Sequence, residues 1–112
     1  MTTLLPTDAN DNLIPAMRLR SSGSHTISAL TSGSARTSTA FNTGTRVVSL
    51  YATGPVFLKF GDETVTASNS DHYYPTGVYY DFAIGGDEVD QYTHVAALAA
   101  DADCTLYISE KE

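Results

Sequence analysis

The side chains in this 112-residue chain that could do chemistry are three histidines, one cysteine and thirteen carboxylates. His25, His72 and His94 stand 47 and 22 residues apart. That spacing matches no compact metal-ligand motif, so a metal site would need convergence in space. Cys104 is the single cysteine, which excludes an intramolecular disulfide and a cysteine-built zinc site. It opens the alternating run CTLYIS with Leu106 and Ile108 on its own side, the place of a small core residue. His94 reads as a packed or half-exposed strand residue, and His72, beside Asp71, as a solvent-facing loop residue.

Serines and acids are plentiful, yet the nucleophile elbow G-x-S-x-G is missing. Gly23-Ser24-His25 and Gly33-Ser34 lack its second glycine and its strand-to-helix setting. The phosphate-cradling patterns G-x-x-x-x-G-K-[ST] and G-x-G-x-x-G are missing too. Gly85-Gly86-Asp87-Glu88 carries the letters of the diguanylate cyclase signature. Those enzymes need a larger α/β domain with a nucleotide pocket, and a short chain without long amphipathic helices cannot supply one. Asp87, Glu88 and Asp90 could offer oxygens to calcium, but they lack the EF-hand loop pattern, and a solvated turn is the expected role. No catalytic residue, cofactor site or metal site is expected, and the chain does not read as an enzyme.

Charge narrows the partners. The formal net charge is −7, unevenly spread. Residues 1–60 hold five cations against two acids, and residues 61–112 hold one cation against eleven acids. Nucleic-acid binding needs cationic side chains that displace phosphate counterions, so it is not expected. The apolar runs are too short to span a bilayer, and MTTLLPTDANDNLIP has no basic leader followed by a long apolar run, so no membrane partner is expected and folding in a cytoplasm is.

The elements that must position any site are strands. In RVVSLYATGPVFLKFGDETVTA, residues 46–67, apolar and polar residues alternate with period two. Val48, Leu50 and Ala52 share one face, then Val56, Leu58 and Phe60, then Val65 and Ala67. Gly54-Pro55 and Gly61-Asp62 supply turn chemistry. The block reads as a β-meander. TISAL and TSTAF read as edge strands, Tyr73 to Gly77 as a turn, and VYYDFAI as a strand. QYTHVAALAA would suit a helix by its alanines, but Thr93, Val95 and Tyr92 favour a strand. CTLYISE closes the chain. The fold expected is all-β: one antiparallel sandwich or small barrel of seven to eight strands over residues 26–112, preceded by an extended arm over 1–25.

Two segments have the makings of a partner interface. Leu13, Ile14, Met17 and Leu19 form an apolar cluster on the arm that must bury against something, and Arg18 and Arg20 accompany them. Tyr73, Tyr74 and Tyr79 sit close together in the tyrosine-rich stretch before residue 81. Tyrosine joins a large apolar area to a hydrogen-bonding tip, which suits interfaces and also stacking on sugar rings.

The order RVVSLYATGPVFLKFGDETVTAS, SDHYYPTGVYYDF and YTHVAALAADADCTLYISEKE resembles small proteins of tailed bacteriophages and prophages encoded among virion structural genes. The motifs are a strand R-V-V-x-L-x-A-T (Arg46 to Thr53), a strand F-x-K/R-F-G (Phe57 to Gly61), a loop P-x-G (Pro75 to Gly77) and a closing G/C-T-L-Y-I/V-x-E (Cys104 to Glu110). The arm TDANDNLIPAMRL also fits. The resemblance implies a virion component made in the host cytoplasm: a capsid decoration, or cement, protein on the outer head surface. It would bind the major capsid protein, clamp neighbouring subunits and assemble as a homotrimer. A head–tail connector or tail component, or a receptor- or carbohydrate-binding module, are the alternatives. Removing residues 1–20 is expected to leave the domain folded and to weaken binding to the particle.

Overall fold

A computed structural model of the chain describes residues 9–12, 18–77, 79–85 and 90–112. Among these residues all regular structure is strand. The strands are β1 (Leu19–Ala29), β2 (Ala35–Arg36), β3 (Val47–Ala52), β4 (Val56–Gly61), β5 (His72–Tyr74), β6 (Tyr80–Ala83), β7 (His94–Ala99) and β8 (Cys104–Lys111). They form two four-stranded antiparallel sheets, ordered β1-β8-β3-β6 and β2-β7-β4-β5.

The pairings reveal how the chain is wound. β1 pairs with β8, β2 with β7, β3 with β6 and β4 with β5. The chain is thus one long hairpin ribbon rolled up, with β3–β8 and β4–β7 ladders joining the turns of the roll. This winding is a jelly roll: an open two-sheet sandwich, not a closed barrel. Ile27, Val48, Leu50, Val56, Leu58, Val95, Leu106 and Ile108 fill the space between the sheets, each at most 2% exposed.

The sandwich, the strand over residues 94–99 and the closing strand match the alternation read from the sequence. The meander does not. β3 and β4 lie in opposite sheets, so the link through Gly54-Pro55 crosses the sandwich instead of turning a hairpin. Period two fixes which face of a strand is buried, but not which strand lies beside it. Pro55 holds φ near −65° and so cannot take the positive φ that the second position of a type I′ hairpin turn requires, and its carbonyl accepts from Ala100 N at 2.9 Å. A Cβ on Gly54 would lie 3.0 Å from Cys104 Cβ, so the crossing passes close against β8.

Val65 and Ala67 are buried but belong to no strand. They fold over the outer face of the second sheet at Ala96. Thr64 N and Oγ1 both donate to Asp62 Oδ1, at 2.9 and 2.6 Å, which closes the turn and holds the Asp62 carboxyl below its ordinary pKa. Ala67 N donates to Ser34 Oγ at 2.8 Å. TSTAF is not a strand either. The chain leaves β2 after Arg36 and makes isolated contacts, Thr37 N to Val95 O in β7 and Phe41 N to Thr93 O just before it. Tyr73 and Tyr74, expected in a turn, belong to β5.

The arm is shorter than expected. β1 starts at Leu19, so residues 19–25 belong to the sandwich. Serine and glycine in RSSGSH hid this, because alternation is weak there and the pairing is irregular: between Leu19↔Lys111 and Ser24↔Ser109 β1 advances five residues while β8 retreats two. Leu13, Ile14, Met17, Val78 and Gly86 to Glu88 lie outside the described residues.

Candidate functional site

The two arginines expected to face a partner are committed within the chain, to different degrees. Arg18 and Glu112 exchange two backbone hydrogen bonds, Arg18 N to Glu112 O at 3.1 Å and the reverse at 2.8 Å. Their side chains pair at 3.0 Å, but Arg18 is 83% exposed, so this ion pair contributes about 0–1 kcal/mol. Arg20 is different. The irregular stretch of β1 turns its side chain inward, where it is 12% exposed. Its Nε donates to Thr45 Oγ1 at 3.0 Å, and Nη1 lies 3.3 Å from Glu112 Oε2.

Beneath Arg20 lies a group that the sequence reading passed over. Glu110 is 3% exposed and points into the sandwich. Asn42 N and Thr45 Oγ1 both donate to its Oε1, at 2.8 and 2.5 Å, and His25 Nε2 lies 2.8 Å from its Oε2. Burial pushes the carboxyl pKa up. The hydrogen bonds from Thr45, His25 and Asn42 outweigh burial and hold it below the ordinary value. Phe41 closes the pocket with an edge contact to the His25 ring at 5.2 Å. Gly23 packs against the glutamate so closely that a Cβ there would lie 2.6 Å from Glu110 Cβ. Gln91 Nε2 donates to the carbonyls of Asn42 and Thr45, at 2.7 and 2.9 Å. These bonds tie β1, the 42–45 turn and β8 into a buried clasp. The exposed Thr39 hydroxyl lies 3.5 Å from His25 Nδ1, beyond the reach at which a base takes a proton. A signal for the clasp did exist: Cys104, Leu106, Ile108 and Glu110 alternate onto one inward face, and a carboxylate there must find partners.

The three tyrosines expected to act together are placed apart. Tyr73 sits on the outer face of the second sheet, 55% exposed, against Phe57 at 5.5 Å. Tyr74 turns inward at the open edge between β5 and β6, touching Tyr80 at 5.0 Å and Phe82 at 5.2 Å. Burial, with Tyr80 beside it, pushes its phenol pKa up. Tyr79 is 74% exposed on the outer face of the first sheet and contacts Tyr51 at 4.8 Å. Tyr51 is the register partner of Tyr107, so three tyrosine rings run in a row across β8, β3 and the residue before β6. The neighbouring rows are Ser24–Ser109–Ser49–Asp81 and Leu19–Lys111–Val47–Ala83. The ionic groups on these rows, Lys111 and Asp81, pair with each other at 2.9 Å.

At the open β5–β6 edge a groove of about 370 Å³ is lined by Phe60, Tyr74, Phe82 and Tyr92, with Lys59, Asp71 and His72 among its polar walls. Phe60 stacks on Tyr92 at 5.9 Å and meets Phe82 at 5.6 Å. Sequence spacing could not assemble this groove, because its residues come from four separate strands or loops. Cys104 is half-buried against the core, and burial pushes its thiol pKa up, away from a reactive thiolate. Among the described residues no three His, Cys, Asp or Glu side chains converge as a metal site requires. No helix among them is long and apolar enough to cross a membrane.

Compared with known protein families, curated proteins and solved structures, the chain matches none.

Proposed function

We propose that this protein is a virion structural protein, a capsid decoration protein that binds the outer surface of a phage head and clamps neighbouring capsid subunits. The observation that carries the reading is the corner where Arg18 meets Glu112. A clamp needs a rigid body and a segment that reaches from it. The clasp around Glu110 and the paired ends of β1 and β8 make that corner rigid, and Leu19 stands beside it 65% exposed. The apolar residues Leu13, Ile14 and Met17 directly precede the corner and are the proposed contact with the major capsid protein. The phage-like motifs in the sequence and the jelly roll, a winding that recurs in viral capsid domains, support the same reading, the latter by analogy of fold alone.

Quantitative mass spectrometry of purified virions tests it. Hundreds of copies per particle are expected. A dozen or fewer would move the protein to a connector or tail, and its absence from the particle would overturn the proposal. The aromatic groove favours a second reading, a receptor- or sugar-binding module. Glycan-array binding that is lost in Tyr92→Ala would support that one instead.

A further inference from the structure

We propose that the outer face of the first sheet docks against the same face of a second copy of this chain. Three properties of that face lead to this partner, and none of them depends on the virion reading.

The face is self-complementary in hydrogen bonding. Its outward positions include Ser24, Thr26, Tyr51, Tyr79, Tyr107 and Ser109. A carboxylate face only accepts and an ammonium face only donates, whereas a hydroxyl does both. A hydroxyl-rich face therefore finds matching partners on a copy of itself.

The face is also electrically quiet in a chain of net charge −7. Its described ionic groups, Lys111 and Asp81, neutralise each other. Elsewhere a second copy would meet Asp62, Glu63 and Asp71 beside β4 and β5, or Asp101 and Asp103 in the turn before β8. Bringing like charges together is costly, and on the quiet face two copies meet without that cost. Its composition is that of an interface core: depleted in charge, with the tyrosine row and the exposed Leu19 as anchors.

Size sets the strength. Four strands about 4.8 Å apart and about seven residues long give a flat footprint of roughly 450 Å². A standard interface buries about 800 Å² per partner. The pair is therefore weak and exchanging. It is also isologous and closes at two copies, unlike the threefold assembly that the sequence resemblance implies.

Sedimentation velocity of the full chain, from micromolar to millimolar concentration, tests this. A reversible monomer–dimer equilibrium is expected. Tyr79→Asp with Tyr107→Asp places like charges on both copies and should weaken association about a hundredfold or more. These side chains are 74% and 50% exposed, so circular dichroism of the double variant should match the parent. Tyr92→Asp, in the groove, should leave the dimer intact. Concentration-dependent amide shifts should fall on Ser24, Tyr51 and Ser109. A monomer at every concentration, a dimer that survives the double variant, or shifts confined to β4 and β5 would overturn the proposal.

Discussion

His25 Nε2 lies 2.8 Å from Glu110 Oε2, a contact between residues 85 apart in sequence that joins β1 to β8 beneath the surface. It belongs to the clasp that makes the sandwich's terminal strands one body. The clasp, more than any surface ion pair, is where electrostatics matter to this fold, because its members are desolvated and its bonds are charge-assisted.

The clasp should give stability a particular pH dependence. The folded pKa of Glu110 lies below its ordinary value. Its contribution is therefore complete above the unfolded pKa and is lost as pH falls through the folded one. Glu110→Gln keeps the shape but turns an amide toward donors. At about pH 7 it should cost about 1–3 kcal/mol, and the gap to the parent should close as pH falls below about 4. Urea melts across this range measure the gap. A gap that stays constant with pH would contradict the assignment.

Thr45 holds Glu110 on one side and Arg20 on the other. Thr45→Val removes the hydroxyl at nearly constant volume. It should destabilise by about 1–3 kcal/mol, since an acceptor and a donor both lose a buried partner. A calorimetric change under about 0.5 kcal/mol, the range of ordinary surface substitutions, would show that the clasp does not stabilise the fold.

Two glycines should resist substitution for different reasons. Gly23→Ala drives a Cβ to within 2.6 Å of Glu110 Cβ and 3.1 Å of Arg20 Cβ. The backbone of β1 must move, at a cost of about 1–3 kcal/mol. Gly77 has open space around it but a φ of 81°, so Gly77→Ala should cost only about 1 kcal/mol of backbone strain. The clash at Gly23 makes its loss the larger of the two, and a larger loss at Gly77, read from thermal melts, would contradict the distinction.

Truncation should have a sharp boundary. Removing residues 1–17 leaves the Arg18–Glu112 ladder and the inward Arg20 in place. Removing residues 1–20 deletes both, and it exposes Thr45 and Glu112 to the loss of their cationic partner. The second variant should be about 2–4 kcal/mol less stable than the first. Equal stability of the two would place the boundary of the sandwich after Arg20.

The fold class was legible in the sequence because alternation is local. Val48, Leu50 and Ala52, or Leu106 and Ile108, declare their buried face without knowing their neighbours. What stayed hidden was non-local. Nothing in residues 46–67 says that β3 and β4 part company across the sandwich, since that depends on β8 and β7 arriving some fifty residues later. The interface residues fared by the same rule. Tyr73, Tyr74 and Tyr79 are near one another in sequence, yet strand pleat and a change of sheet send them to three surfaces. Arg20 looked like an exposed arm residue because the irregular β1–β8 pairing that turns it inward leaves no mark in composition.

The most direct test of the central claim is a reconstruction of the virion that carries this protein. The proposal predicts density for the rolled eight-strand sandwich on the outer head surface, with the residues before Arg18 running onto neighbouring capsid subunits. Density confined to the neck or tail, or no density for the sandwich at all, would contradict it.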